Sequence, residues 1–125
     1  MSREELAIET QMKKDFALFI EKGFSYEYTY EKGGDSSCAY IYRFRKGRDY
    51  FDIRELSGGN ELNLVVHAKG EVLFPSLKSM YKKDYRAFAL KHFFKKSTRE
   101  ERRKFFAEIL VKHIEGKSNF FGIPL

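Results

Sequence analysis

The 125-residue chain has no tryptophan, two prolines and a single cysteine, Cys38. One cysteine excludes an intrachain disulfide, which favours a reducing compartment. Residues 1–16 lack the apolar stretch of a secretory signal, and the apolar run 16–20 is much shorter than the roughly 20 residues of a membrane-spanning helix. We therefore predict a cytoplasmic protein with no membrane partner.

Motifs that carry chemistry are also missing. The chain contains neither of the standard glycine-rich phosphate loops and no G-x-S-x-G nucleophile turn. The three histidines, His67, His92 and His113, lie far apart and form no metal-ligand pattern with the single cysteine. These absences predict no catalytic residue, no cofactor and no metal site, and they favour a non-enzymatic protein.

What the chain does have is an alternation of apolar and polar residues over four runs. Phenylalanine and tyrosine supply all of its 17% aromatic content. Alternation with period two predicts half-buried strands, and glycine-containing dipeptides between the runs favour tight hairpins. The predicted strands of this antiparallel meander span 24–31, 38–45, 49–56 and 61–68, with turns at Gly33-Gly34, Lys46-Gly47 and Gly58-Gly59.

The register of each hairpin follows from the length of its loop. A two-residue loop at the second turn places Tyr42 opposite Phe51, and a two-residue loop at the third turn places Phe51 opposite Val66. The first strand joins this pattern with Tyr28 opposite Tyr40. All these pairings send the tyrosines to one face of the sheet, which we predict to be the core face.

The opposite face of the sheet is predicted to be mostly polar, with Arg43, Tyr50 and His67 in one cross-strand row. Histidine titrates near neutral pH and arginine binds carboxylates and phosphates, so such a face can hold a small molecule or support acid–base catalysis. The alternative, which we favour, is a solvated face whose opposite charges pair across strands. The candidate ligand-binding residues are Arg43, Tyr50, Asp52, Arg54 and His67.

Helical periodicity predicts three helices, over 4–22, 79–95 and 99–115. Ser2 and Thr98 stand where N-caps belong, each three residues before a glutamate, as in a capping box. The apolar residues of the second helix lie on two sides, which predicts burial on both. We therefore predict a single α+β domain with an N-terminal helix, a four-stranded antiparallel meander and two C-terminal helices packed on one sheet face, the tyrosine-rich one.

Positive charge is concentrated in the segment 76–104, which holds 11 Lys and Arg against 3 Asp and Glu in a chain of net charge +6. Lysines and arginines near a helix N-terminus attract anions, so this segment can contact the phosphates of a nucleic acid. The alternative, which we favour, is a solvated helix surface, with the phenylalanine pairs 93–94 and 105–106 anchoring the helices to the sheet. The candidate anion-binding residues are Lys82, Lys83, Arg86, Lys95, Lys96, Arg99, Arg102 and Arg103.

Three functions are compatible with these patterns. The leading hypothesis is a small cytoplasmic binding or regulatory module that contacts another protein and performs no chemistry. The first alternative is nucleic-acid binding through 76–104, and the second is small-molecule binding or catalysis on the polar sheet face. The apolar tail 120–125 is predicted to fold back onto the core, and the alternative is that it docks on a second copy in a homodimer.

Overall fold

The computed structural model describes residues 2–32, 38–56 and 62–125. It confirms the predicted α+β class, with N-terminal helices, an antiparallel sheet and C-terminal helices in that order along the chain. Two of the predicted turns, Gly33-Gly34 and Gly58-Gly59, lie outside the described residues. The helices are α1 (Arg3–Asp15), α2 (Ala17–Glu21), α3 (Leu77–Met80), α4 (Lys82–Lys91) and α5 (Arg99–Ile114). The strands are β1 (Ser25–Lys32), β2 (Cys38–Lys46), β3 (Asp49–Leu56), β4 (Leu62–Ala68), β5 (Glu71–Leu73), β6 (Asn119–Phe120) and β7 (Ile123–Pro124).

Five consecutive strands form one antiparallel sheet in the order β1-β2-β3-β4-β5. The predicted meander is present, and β5 is an addition that alternation did not reveal because it is three residues long. It follows a tight turn in which Lys69 and Gly70 have φ of 53° and 80°. Positive φ at both central positions is what a type I′ hairpin turn requires. The Asp49 carboxylate supports this turn by accepting a hydrogen bond from the Lys69 amide at 3.0 Å.

The register between β3 and β4 is the predicted one. Phe51 lies opposite Val66, and Ile53 lies opposite Leu64. All four side chains are buried on the core face of the sheet. The tyrosine-rich face is therefore the core face, as the alternation predicted.

The registers on either side of β2 differ from the prediction by two residues. Tyr42 lies opposite Ile53 rather than Phe51, because the two-residue loop begins one residue later, at Gly47. Gly47 has φ of 65° at the first loop position, where a type II′ turn requires a positive value. The β1–β2 pairing is shifted by the same two residues. Every side chain keeps its predicted face, because the side-chain period of a strand is two.

Helices α1, α2 and α5 cover the tyrosine-rich face and complete the core. The N-terminal helix is broken at Phe16, and both Phe16 at the break and Phe19 of α2 pack their rings against the sheet. The centroid of the Phe16 ring lies 4.7 Å from that of Phe44, and the Phe19 ring lies 5.2 Å from Phe51. The hairpin of β6 and β7 adds Phe120 to this cluster, 4.7 Å from Phe51. Each such ring stabilises the fold by about 1.5–3 kcal/mol through its burial.

Helix α5 begins with the predicted capping box. The Thr98 hydroxyl accepts a hydrogen bond from the Glu101 amide at 3.1 Å, and the Glu101 carboxylate accepts one from the Thr98 amide at 2.9 Å. These bonds satisfy amide groups that a helix start leaves unpaired. The side of α5 that faces the core forms a buried stripe. Its buried members are Arg103, Phe106, Ala107, Ile109, Leu110, His113 and Ile114.

The segment predicted as one helix over 79–95 is two short helices, α3 and α4, divided at Tyr81. Tyr81 has φ of −123° and ψ of 50°, outside the helical range. No residue of α4, which is described in full, is buried, so the prediction of two buried sides is wrong. Helices α1, α2 and α5 already cover the sheet face, so α4 packs only on the outer side of α5, where Tyr85 and Phe88 contact Phe105 and stay partly exposed. We call residues 77–94 the arm and the rest of the described chain the body.

The inner end of the arm is fastened to α5. The Tyr81 hydroxyl lies 2.6 Å from Nδ1 of His113. One turn further along, the Asp84 carboxylate pairs with Lys112 at 3.3 Å. These contacts hold the arm against the body although they bury no α4 side chain.

Candidate functional site

The polar face of the sheet carries ion pairs between neighbouring strands. The two-residue shift places Arg43 opposite Asp52 rather than Tyr50. The Arg43 guanidinium donates to both carboxylate oxygens of Asp52, at 2.7 and 2.9 Å, and this bonding raises the pKa of Arg43. Arg45 pairs with Glu27 at 2.7 Å. Both guanidinium groups are therefore already bound to carboxylates of the same face.

Tyr50 and His67 lie beside these ion pairs, opposite each other as predicted. Their rings are stacked, with centroids 4.2 Å apart. The Arg43 guanidinium lies 4.0 Å from the centroid of the Tyr50 ring, a cation–π distance. Arg54 lies two residues after Asp52 on β3 and pairs with Glu31 at 3.5 Å. The candidate residues of this face thus lie together, but their guanidinium groups are engaged with acidic neighbours.

A second polar cluster lies inside the protein, on the core face of the sheet. The buried Glu55 carboxylate accepts hydrogen bonds from the Tyr42 hydroxyl at 2.5 Å and from Arg103 Nη1 at 3.1 Å. The Arg103 Nε donates to Gln11 Oε1 at 2.9 Å. Arg103 is a candidate anion-binding residue by sequence, yet it is only 9% exposed. Its guanidinium is used to join α5 to β3 and α1.

Burial keeps the tyrosine hydroxyls of this cluster protonated. Desolvation is the main cause that raises the pKa of Tyr42, followed by its hydrogen bond to Glu55. Desolvation also raises the pKa of Tyr26, with repulsion from Glu9 as the next cause. Among the described residues, no buried side-chain nitrogen or oxygen lacks a hydrogen-bond partner. The buried polar atoms of this cluster therefore serve to hold the fold together.

A cleft of about 720 Å³ separates the arm from the body, and we call it the arm cleft. Its floor is apolar: β4 contributes Leu62 and Leu64, and α5 contributes Phe105 and Phe106. The arm contributes Phe88, whose ring stacks on Phe105 with centroids 4.3 Å apart. Sequence patterns did not reveal this cleft, because it lies between elements that are distant in the chain. Its volume and lining are typical of small-molecule sites, which span roughly 300–1,000 Å³.

Four of the candidate anion-binding residues line the arm cleft: Lys82, Arg86, Lys96 and Arg102. Three others, Lys83, Lys95 and Arg99, lie outside its lining. Arg102 is held in place by the Ser97 carbonyl, to which its Nη1 donates at 2.5 Å. In the described part of the chain, no carboxylate lies within ion-pair distance of Lys82, Arg86 or Lys96. The cleft therefore combines an apolar floor with cations that no carboxylate of the described residues neutralises.

The outer end of the arm presents large apolar side chains to solvent. Leu90, Phe93 and Phe94 are 69%, 73% and 98% exposed, and we call these three residues the arm tip. The rings of Phe93 and Phe94 pack edge to face on each other, with centroids 5.0 Å apart. The expectation that both phenylalanine pairs anchor helices holds for 105–106 and is wrong for 93–94. The physical reason is that residues 93 and 94 follow α4, none of whose residues is buried, and extend beyond its contact with α5.

The contact at the inner end of the arm joins two neutral groups. Desolvation lowers the pKa of His113, with a further contribution from the nearby Lys117. The neutral His113 ring stacks on Phe121, with centroids 4.5 Å apart. Desolvation also raises the pKa of Tyr81, which keeps its hydroxyl protonated. With the ring proton on Nε2, Nδ1 of His113 accepts the hydrogen bond that the Tyr81 hydroxyl donates.

Within residues 2–32, 38–56 and 62–125, no three His, Cys, Asp or Glu side chains gather where they could hold a metal ion. In the same ranges, no helix has the length and apolar character needed to cross a membrane. Comparison with protein-family models, curated proteins and solved structures gives no match. Function therefore has to be inferred from the residues and geometry of this chain.

Proposed function

We propose that this chain is a small cytoplasmic, non-enzymatic module that binds another protein through the arm tip. The observation that carries the proposal is the exposure of Leu90, Phe93 and Phe94 side by side at the end of the arm. Adjacent exposed apolar side chains on a folded protein are typical of interaction sites. Phenylalanine is also enriched in the contact surfaces of protein complexes.

A partner protein can bury the apolar side chains of the arm tip, which the fold of the chain leaves exposed. Helix α4 buries none of its residues, and Phe94 is 98% exposed. Burying a phenylalanine fully is favourable by about 1.5–3 kcal/mol. Two adjacent rings can therefore anchor an interface, since a few buried aromatic residues carry most of the energy of many complexes.

Charge around the tip favours an acidic partner over a second copy of the chain. Lys91, Lys95 and Lys96 flank the tip in sequence and are exposed. The segment 76–104 that contains the arm holds 11 Lys and Arg against 3 Asp and Glu. A homodimer through the arm would place two such segments against each other, and like charges in an interface oppose association. An acidic surface on a different protein would instead be attracted.

Photo-cross-linking inside cells tests this proposal. A benzophenone amino acid is placed at Phe94, and as a control at Thr29, an exposed position on β1. We expect the benzophenone at position 94 to form a discrete adduct with a partner protein, and the one at position 29 to form none. The variant Lys91→Glu with Lys95→Glu should abolish the adduct at position 94. Identical adducts from both positions, or no adduct from position 94, would contradict the proposal. An adduct of twice the mass of the chain would show a homodimer instead.

Nucleic-acid binding is the second candidate function, and the gathering of four candidate anion-binding residues around the arm cleft favours it. A protein that contacts phosphates loses affinity with salt, with a log–log slope of about 0.7 per phosphate for single strands. Fluorescence anisotropy of a labelled single-stranded oligonucleotide at low salt measures this directly. Binding that weakens steeply with salt and is reduced by Lys96→Glu would support it. No change in anisotropy at low salt would exclude it.

The polar sheet face gains no comparable support as a small-molecule or catalytic site. Arg43, Arg45 and Arg54 are each paired with a carboxylate of the same face. A ligand would have to displace these ion pairs before it could use the guanidinium groups. We therefore place the functional surface on the arm.

A further inference from the structure

We infer that the arm cleft is a binding site for an amphipathic carboxylate, a small molecule with an apolar chain and one anionic head group. The inference goes beyond the protein-binding function proposed for the arm tip. None of the three tip residues lines the cleft. The two sites can therefore be tested separately, although both lie on the same arm.

The floor of the cleft supplies the apolar half of the site. Leu64 of β4 and Phe106 of α5 come from the body, and Phe88 comes from the arm. Leu64 and Phe106 belong to the buried core, so this part of the wall is rigid. An apolar chain that lies on such a floor gains affinity with each methylene group it removes from water.

The rim of the cleft supplies the charge. Lys82 and Arg86 stand four residues apart on α4, a spacing that puts both on one side of a helix. Lys96 lines the cleft from the segment that follows the arm, and Arg102 lines it from α5. No acidic residue in the described ranges lines the cleft. Its cations are therefore not neutralised within the described residues, so they can bind an anion from outside the chain.

The apolar floor and the cationic rim together favour one class of ligand. A cationic amphiphile would meet the same floor but be repelled at the rim, and a simple inorganic anion would leave the floor exposed to water. A carboxylate on an alkyl or aryl chain satisfies both halves, because arginine and lysine bind carboxylates by charge-assisted hydrogen bonds. The volume of about 720 Å³ is large enough for one such molecule.

Isothermal titration calorimetry with a series of fatty carboxylates tests the inference. Octanoate, decanoate and dodecanoate are titrated as monomers into the intact chain, with dodecyltrimethylammonium as the cationic control. We expect saturable binding that tightens roughly three- to fourfold per added methylene. The cationic control should not bind. Affinity that is independent of chain length, or equal for the two head-group charges, would overturn the inference.

A cleft-blocking variant with a matched control locates the site. Ala89 lines the cleft and Ala87 does not, although both are exposed positions of α4. Ala89→Trp should abolish dodecanoate binding, whereas Ala87→Trp should leave it unchanged. Circular dichroism checks that both variants fold. If both variants lose binding to the same extent, or neither does, the ligand is not in the arm cleft and the inference is wrong.

A charge reversal with a matched control tests the rim. Lys82→Glu with Arg86→Glu should weaken dodecanoate binding at least about tenfold, because hydrogen bonds to charged groups are replaced by repulsion. Lys83→Glu with Lys91→Glu makes the same change in net charge at exposed α4 positions outside the lining. This control should bind nearly as well as the unaltered chain. Equal weakening by both pairs would mean that only the overall charge matters, which contradicts a specific site.

Two further outcomes separate the cleft from its neighbours. Phe93→Ser with Phe94→Ser should leave dodecanoate affinity unchanged. A loss of binding in this variant would place the amphiphile on the arm tip and overturn the inference. If the carboxylates fail to bind but a short acidic peptide with leucines at helical spacing does, the cleft is a peptide groove and the inference is also wrong.

Discussion

The Arg103–Glu55 ion pair is the polar contact that most directly ties the helices to the sheet. It joins α5 to β3 and extends through Gln11 to α1. Two charges taken out of water are tolerated when their geometry is good and further hydrogen bonds satisfy their remaining atoms. Tyr42 and Gln11 supply those bonds here. Removal of one of the two charges should therefore lower the stability more than replacement of Tyr42, Glu55 and Arg103 together by apolar side chains.

Arg103→Met tests this expectation, because it leaves the Glu55 carboxylate buried without its cation. We expect the free energy of unfolding to fall by about 3–5 kcal/mol. The triple variant Tyr42→Phe, Glu55→Leu and Arg103→Met should recover most of that loss, since it replaces the polar group with apolar side chains. Urea unfolding followed by circular dichroism measures both.

Lys104→Met is the control for this series, because Lys104 is the exposed neighbour of Arg103. It should change the free energy of unfolding by no more than about 0.5 kcal/mol. A single Arg103→Met variant as stable as this control would show that the ion pair does not hold the core.

His113 provides a second prediction at the residue scale, on the dependence of stability on pH. Its pKa in the folded chain lies below the ordinary value of about 6.5 because the ring is desolvated. Between these two values the unfolded chain binds the proton and the folded chain does not, so stability rises with pH across that window. Stability contributed by the neutral ring is fully present above about pH 6.5 and is lost as the pH falls through the lowered pKa.

Two measurements check the His113 prediction. Nuclear magnetic resonance titration of the ring protons should give a pKa below about 6.5 in the folded chain. Urea unfolding should show that His113→Gln, which keeps an acceptor for the Tyr81 hydroxyl, weakens the dependence of stability on pH in this range. A folded-state pKa at or above the ordinary value would refute the assignment of a neutral, desolvated ring.

At the scale of elements, helix α5 depends on its N-terminal capping box. The Thr98 hydroxyl and the Glu101 carboxylate each bond to the other residue's amide. Thr98→Ala removes the hydroxyl acceptor and should lower the free energy of unfolding by about 1 kcal/mol. Ser118→Ala, a hydroxyl deletion outside any helix, serves as the control in thermal or urea unfolding. A Thr98→Ala variant no less stable than this control would show that the cap is dispensable.

The elements that could be predicted from sequence are those with local signals. Alternation identified β1 to β4 and their faces, and the capping box located the start of α5. The β2–β3 register was missed by two residues because Gly47 can occupy either position of a two-residue loop, and both choices keep the same faces. Glu55 alternates with Phe51 and Ile53 and so shares their core face, but its pairing with Arg103 depends on how α5 packs against the sheet.

The candidate site on the arm was less predictable, because it depends on which helices occupy the core face of the sheet. The apolar sides of the segment 79–95 have helical spacing, and such spacing usually indicates burial. Burial also requires a free surface, and no local pattern shows that other helices already occupy the sheet face. The spacing of Lys82 and Arg86 predicts that they share a side of α4, whereas the approach of Lys96 and Arg102 depends on the fold.

At the scale of the whole molecule, the described residues divide into a packed body and a basic arm. The body contains the core and the satisfied polar cluster around Glu55. The arm contains a helix without a buried residue, and it leads to a tip whose apolar side chains face solvent. The central claim is that this tip is a binding surface and contributes nothing to the core.

Urea unfolding of the triple variant Leu90→Ser, Phe93→Ser and Phe94→Ser tests that claim most directly. Because all three side chains are exposed, we predict that its free energy of unfolding stays within about 1 kcal/mol of that of the unaltered chain. Phe106→Ser, at a buried position of α5, should lose about 3–5 kcal/mol in the same experiment. A loss of about 3 kcal/mol or more in the triple variant, comparable to that of a core residue, would contradict the claim.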